Sequence, residues 1–377
     1  MAIAGAGIIG LSLALELASA GRRVAVFERR RAMSESSWAA AGMLAAGDPE
    51  NPPALRSLSE LSRALYPQFL ARIAQLSGQT ISIRTTRTIQ GAHRIPAGFS
   101  ELDPKTLNAL APGIQIAPRV PTEGLKFFLL EESSLNPRDL AHALPLAVRA
   151  AGVAVHEETP VLEVHPNDGA VRFTTPSGDW TAGTFVHATG AWSGSLTGVL
   201  SAPRKGQMVQ VHHPGPRHLE SDQLESDQLE VVLRTPEIYL VPRGNGHIVI
   251  GATVEDIGYD KVVDPRAIAA LLETAADLWP PIRTATVVDS WAGLRPGSPD
   301  GLPVIDSLED APRPQCWIAA GHFRNGILLA PGTALLLRQM ILNQPLSVDP
   351  SPFRCGRFAP SSVQPEAMEA QPVTVRE

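Results

Sequence analysis

The opening of the chain constrains it most: Met1-Ala-Ile-Ala-Gly5-Ala6-Gly7-Ile8-Ile9-Gly10 sets a Gly-x-Gly-x-x-Gly run between an apolar stretch and a helical one. Each glycine has its own task. The first allows a tight turn, the second lets backbone approach a pyrophosphate, and the third lets helix pack close to strand. The helix start beyond them offers free N–H groups and a positive dipole end to phosphate. The pattern predicts a strand before Gly5, a helix to about residue 20 ended by Gly21, and a second buried strand over 24–28. Glu28 closes that strand, where it can accept from ribose hydroxyls. An isolated glycine run also fits a simple turn; strand, helix, strand and acid in register point to a dinucleotide. The first strand has only about four residues before Gly5, as in a chain whose start is shortened.

With 377 residues the chain can bury a large core and form two domains. Hydrophobic residues at 44% and charged residues at 19% place it among globular proteins. Its net charge of −6 excludes the basic footprint of a nucleic-acid binder. Two cysteines, Cys316 and Cys355, cannot build a disulfide framework and fit a reducing compartment. No His/Cys cluster has metal-ligand spacing, so no metal is expected. The apolar start carries Glu16 and lacks the basic segment of a secretory leader. No run reaches the roughly 18–20 apolar residues of a membrane span; the nearest, 326–342, holds Pro331 and Arg338. These features predict a cytoplasmic protein without a transmembrane segment. Nucleophile-elbow, zinc-helix and Walker patterns are lacking, which removes support for hydrolase and NTPase chemistry.

Along the chain, helical patterns cover 55–76, a short segment opened by Asp103-Pro104, and a segment after Asn136 with Pro137 at its first position. Strand-like pieces fall at 153–156, 161–164 and 185–188, with a hairpin around 167–169 and alternating strands through 206–288. A strand at 317–321 and a helix over 326–342 follow. The expected class is α/β: a doubly wound, Rossmann-like dinucleotide-binding domain, discontinuous over 1–55, 135–200 and 290–350, with a β-rich α+β substrate domain over 56–134 and 201–289. The tail 359–377, rich in Pro, Ser and Glu, reads as disordered. Leu219-Glu-Ser-Asp-Gln223 is repeated at once as Leu224-Glu-Ser-Asp-Gln228, which reads as a lengthened surface loop without chemistry.

Two further segments favour FAD over NAD. Ser36-Ser-Trp-Ala-Ala-Ala41-Gly42-Met43-Leu44 is rich in small residues, as where backbone passes close to a flat ring system. Ala188-Thr189-Gly190-Ala191-Trp192 ends a buried strand, where a loop can close over pyrophosphate and adenosine. Each alone also fits a helix-packing surface or a turn.

Gly5-Ala-Gly-Ile-Ile-Gly-Leu-Ser12, Ala41-Gly-Met-Leu44, Ala188-Thr-Gly-Ala-Trp-Ser193, Tyr239-Leu-Val-Pro-Arg243, Gly293-Leu-Arg-Pro-Gly-Ser-Pro-Asp-Gly-Leu-Pro303 and Gly321-His-Phe-Arg-Asn-Gly-Ile-Leu-Leu-Ala-Pro331 together resemble the D-amino-acid oxidase superfamily of flavoproteins, and within it the glycine oxidases of the thiamine pathway. The resemblance covers the chain except the duplicated loop and the tail. It implies non-covalent FAD held around Gly5, Ala6, Gly7, Ile9 and Gly10, with Glu28, Arg29, Val161, Thr189, Gly190 and Trp192 toward the nucleotide. It places Ala41, Gly42, Met43 and Leu44, and His322, Phe323, Arg324, Asn325, Gly326, Ile327 and Leu328, around the flavin ring. The substrate contacts it implies are Arg295, Tyr239, Arg324 and Met43.

Residue chemistry supports parts of this. Arg295 lies between Leu294 and Pro296, and a planar guanidinium grips a carboxylate bidentately; a structural ion pair is the alternative. Tyr239 can donate to the same carboxylate, or simply pack on its strand. Arg324 precedes a helix start whose N–H groups suit negative charge on a reduced flavin; a surface ion pair is the alternative. Met43 fits packing equally well. His187 reads as a satisfied core histidine, and His322 flanks the flavin stretch. No general base is expected, because a neutral amine lets hydride leave Cα directly once the carboxylate is oriented. Cys316 reads as an inert thiol.

The resemblance implies oxidation of glycine, with sarcosine and small D-amino acids as further candidates, through hydride transfer from Cα to flavin N5 and reoxidation by O2 to H2O2. The imine then hydrolyses or feeds assembly of the thiamine thiazole ring, and a homo-oligomer is implied. An oxidase of another amine, a dehydrogenase using a different acceptor and an inactive flavin-binding module stay open; Arg295 and Tyr239 count against the last.

Overall fold

In the computed structural model the opening strand Ala2–Ala4 is three buried residues long and forms the middle of a six-stranded sheet. The order is Val304–Ser307, Cys316–Ala320, Phe185–His187, Ala2–Ala4, Ala25–Phe27 and Ala154–His156, parallel throughout except for the antiparallel edge strand Val304–Ser307. The structure describes residues 1–115, 124–167, 169–198, 201–213, 228–309, 311 and 313–358. Residues 219–227 of the duplicated segment and the 359–377 tail lie outside them.

The helix Ile8–Ser19 follows the first strand as expected, and it is apolar on most of its faces because it is sandwiched. The helices Pro137–Ala150 and Gly326–Ile341 pack on it. Asn136 caps the former by accepting from Arg138 N at 3.2 Å, with Pro137 at the first position. On the sheet's other face lie the antiparallel strands Glu163–Asn167, Ala170–Thr175 and Gly178–Ala182, with Phe173 set edge-on against Phe27 at 5.0 Å.

The helix Arg56–Ser77 packs with the first sheet's helices. The sequence reading counted it with the second domain, yet Leu58, Tyr66, Phe69 and Ile73 join the same core as Leu11 and Leu15. Their spacing puts them on one helix face, and Ser62 on that face donates to Leu328 O at 2.6 Å. Gly332 permits this approach, since a Cβ there would lie 2.9 Å from Ser62 Cβ. Periodicity reveals such a face but not what it packs against.

The second sheet runs Thr286–Gly297, Ala202–His212, His247–Gly251, Tyr239–Gly244, Val232–Arg234, Thr88–Ala92 and Lys126–Leu130. Its neighbours are antiparallel except for the pair Val232–Arg234 and Thr88–Ala92. Thr286–Gly297 pairs along the whole of Ala202–His212 and so carries the second sheet past residue 290. One face packs on the helix Pro265–Leu278 through Leu240, Ile250, Leu271 and Trp279. The alternate residues Met208, Tyr239 and Gly251 turn toward the first domain.

Candidate active site

The glycine turn is built for close approach. Gly5 has φ +104°, and a Cβ on it would lie 2.3 Å from Ala188 O. A Cβ on Gly10 would lie 2.0 Å from Gly5 O. The helix that follows begins without a capping side chain at Gly7 and without an acid in its first turn, leaving its positive end open to an anion. Ile8 N donates to Ser37 Oγ at 3.0 Å. Glu28 lies against the same turn: Oε2 accepts from Ala6 N at 2.8 Å and Oε1 from Arg30 N at 3.0 Å.

A cleft starts at this turn and ends on the second sheet. Its walls include Gly7, Ile9, Ala41, Gly42, Met43, Gly190, Tyr239, Arg295 and residues 322–327. The 39–42 segment is pinned to the second sheet by Arg243, which donates to Ala41 O at 2.5 Å and Leu135 O at 2.7 Å, and by Trp291 Nε1, which donates to Ala39 O at 3.0 Å. Burial pushes Arg243 down to about 10, which leaves it charged at neutral pH. Gly42 has φ +80°, and a Cβ on it would lie 2.1 Å from Leu135 O.

At the far end Arg295 Nη1 donates to Thr253 O at 3.0 Å. Among the described residues no carboxylate pairs with it, whereas Arg204, its neighbour across the ladder, holds Asp256 at 2.7 Å. Tyr239 stands beside it, opposite Gly251 in the ladder. A Cβ on Gly251 would lie 2.5 Å from the Tyr239 hydroxyl. Burial raises the Tyr239 pKa, with Arg295 opposing the shift, so the phenol is a protonated donor.

Arg324 also reaches the cleft, but Glu50 at 2.7 Å and Asp48 at 3.3 Å already engage it. The resemblance gives Arg324 a substrate contact; in the structure its guanidinium is held at the cleft wall by these two carboxylates. Phe323 adopts φ +46°, a left-handed geometry uncommon outside glycine, where the chain turns into the helix Gly326–Ile341. That helix begins with neither a side-chain cap nor an acid in its first turn.

His322 is buried against Thr333, with Nε2 3.1 Å from Oγ1. Burial pushes its pKa down to about 3, so it is neutral. His187 is buried as expected and pushed to about 4 by burial, and among the described residues no group hydrogen-bonds its Nδ1. Cys316 is buried and its thiol is pushed up to about 12, chiefly by burial, in keeping with an inert role. Among the described residues no acidic, His or Cys cluster could hold a metal.

Other expected contacts support the cleft from behind. Gly5, Ala6, Gly10, Leu44 and Leu328 are buried, and Leu44 N donates to Ser133 O at 2.8 Å. Val161 packs at the edge of the Phe27 cluster. Thr189 Oγ1 lies 3.1 Å from Ser193 Oγ, and the Arg29 guanidinium sits 3.4 Å over the Trp192 ring. Sequence reading missed Gly206, Gly251, Thr253 and Arg243. Only Arg243 carried a signal, as the last residue of a quoted motif.

A family profile described as DAO, FAD dependent oxidoreductase, matches residues 1–340. The chain is 31% identical to glycine oxidase of Pseudomonas aeruginosa, over 93% of this chain and 97% of that protein. It is also 31% identical to the bifunctional protein ThiO/ThiG of Synechocystis over 99% of this chain, and spans 56% of that protein's length. The crystal structure of glycine oxidase from Geobacillus kaustophilus matches with a TM-score of 0.84 at 30% identity, over 94% of this chain and 98% of that one. Among the described residues no helix is long and apolar enough to cross a membrane.

Proposed function

Because this chain belongs to the FAD dependent oxidoreductase family, we propose that it oxidises a small amino acid, glycine first, at the α-carbon. One observation carries the reading: Arg295, a guanidinium that no carboxylate among the described residues pairs with, and a protonated phenol, Tyr239, converge at the far end of the cleft that starts at the dinucleotide turn. FAD, when bound, accepts a hydride and passes the two electrons to O2 as H2O2.

Arg295 binds the substrate carboxylate through two parallel N–H donors, and Tyr239 adds a third donor. Together they fix the position of Cα, so orientation supplies most of the protein's contribution. His322 is neutral and tied to Thr333, and departure of hydride from a neutral amine asks no base of it. The amine enters the step neutral, loss of hydride from Cα leaves the protonated imine, and that imine gives up an N–H proton to water. Water converts free imine to the 2-oxo acid and ammonia. Ala41, Met43 and Tyr239 line the cleft and pack on the buried Val232 and Val241, which gives the pair an apolar surround.

Likeness to the ThiO/ThiG protein over 99% of the chain supports one further part of the reading, delivery of the glycine imine to thiazole assembly before water reaches it.

Oxygen uptake and peroxide release with glycine, sarcosine and D-alanine test the proposal. It predicts the highest kcat/KM for glycine. Reduction of an artificial acceptor without oxygen uptake would indicate a dehydrogenase, and no turnover with any of the three would refute the assignment.

A further inference from the structure

The loop over residues 252–264 joins the strand His247–Gly251 to the helix Pro265–Leu278. Its large apolar side chains face water: Val254, Ile257, Tyr259 and Val262 are 64%, 48%, 49% and 71% exposed. Burial of its own side chains therefore does little to fix its position. Two polar side chains beneath it do so instead, Lys205 and Gln207 of the strand Ala202–His212, only 2% and 0% exposed.

Lys205 Nζ donates to Val262 O at 2.6 Å and lies 3.3 Å from Asp260 Oδ2 and 3.7 Å from Glu255 Oε2. Gln207 Nε2 donates to Glu255 Oε1 at 2.7 Å, and its Oε1 accepts from Asp264 N at 2.6 Å. Gln207 N donates to Thr253 Oγ1 at 2.9 Å. A buried ammonium is strongly unfavourable without such partners, so Lys205 and the loop constrain each other.

The loop reaches two places. At its start, the Thr253 carbonyl receives the bond from Arg295 Nη1. Further on, Tyr259 donates to Ala191 O at 3.2 Å and stacks on Trp192 at 5.5 Å, the same ring that carries Arg29. Lys261 Nζ lies 2.8 Å from Glu35, which also holds Arg29 at 2.9 Å. The neighbouring Ala188 and Gly190 line the cleft beside the glycine turn.

We propose that loop 252–264 is a strap that orients Arg295 at one end and closes the nucleotide end of the FAD cleft at the other, and that Lys205 is the residue positioning it. The Arg295 half rests on the proposed function; the FAD half does not. The strap thus links retention of the cofactor to affinity for the substrate.

The test compares wild-type and Lys205→Met holoenzyme. FAD release is followed by flavin fluorescence after dilution, and KM and kcat are measured with glycine. The strap predicts FAD release about tenfold faster and KM about tenfold higher, with kcat falling less than about threefold. Glu255→Ala removes the partner on the loop side and carries the same expectation if Lys205→Met does not fold. Wild-type FAD release and KM in the folded variant overturn the proposal. So does a loss confined to kcat, which marks a merely structural role. A wild-type enzyme that does not oxidise glycine refutes the proposed function, while FAD release still decides the strap.

Discussion

Gly206 stands directly beneath the guanidinium of Arg295: a Cβ built on it would lie 2.1 Å from Nη1 and 2.4 Å from Cζ. The missing side chain on one strand therefore makes the space in which the arginine on the next strand lies flat. Gly251 does the same for the Tyr239 hydroxyl. The two side chains assigned to the carboxylate both rest on glycine floors.

Gly206→Ala tests this relationship. The obstructed group is the far end of a flexible side chain, so the fold survives while the guanidinium moves and its bond to Thr253 O breaks. The expected outcome is a glycine KM raised by about 10–100-fold with a smaller fall in kcat. Michaelis constants and a thermal melt on the same preparation check it.

Tyr239→Phe removes one donor and keeps the ring. A hydrogen bond to a charged group contributes about 1.5–3 kcal/mol, so kcat/KM should fall by roughly 10–100-fold. Burial holds the phenol above its ordinary pKa, so its deprotonation draws no limb in the usual alkaline range. The kcat/KM profiles of wild type and Tyr239→Phe against pH are therefore expected to share one shape.

Acid should destabilise the protein through its buried imidazoles. His187 and His322 are held at about 4 and about 3 against an ordinary 6.5. Below that value the unfolded chain takes up protons that the folded chain refuses. Their stabilising contribution is thus present above about 6.5 and is lost as pH falls toward their folded values. His187→Leu removes one of these titrating groups. It should match wild type in urea unfolding at about pH 7.5 and exceed it by about 2 kcal/mol at about pH 5.

The cofactor half was legible because its determinants are local. Gly5, Gly7 and Gly10 have backbone tasks, Glu28 falls at a fixed spacing, and Asn136-Pro137 announces a helix. The long-range relationships were not legible. The apolar face of Arg56–Ser77 can be read from its spacing, but its partner helix cannot. Arg295 read as the carboxylate anchor and Arg324 as a residue beside the flavin; that Asp48 and Glu50 fold against Arg324, while no carboxylate among the described residues pairs with Arg295, carried no sequence signal. Gly206 and Thr253 carried no signal, because their importance lies in what a neighbouring strand places over them.

The most direct test of the central claim is anaerobic mixing of FAD-loaded protein with glycine while visible flavin absorbance is followed, then admission of oxygen, with Arg295→Ala run in parallel. The account predicts that glycine bleaches the wild type, that oxygen restores the colour with release of H2O2, and that Arg295→Ala needs on the order of a hundredfold more glycine for the same bleaching rate. Wild-type flavin that stays oxidised under saturating glycine, or an Arg295→Ala variant reduced as readily as wild type, would contradict it.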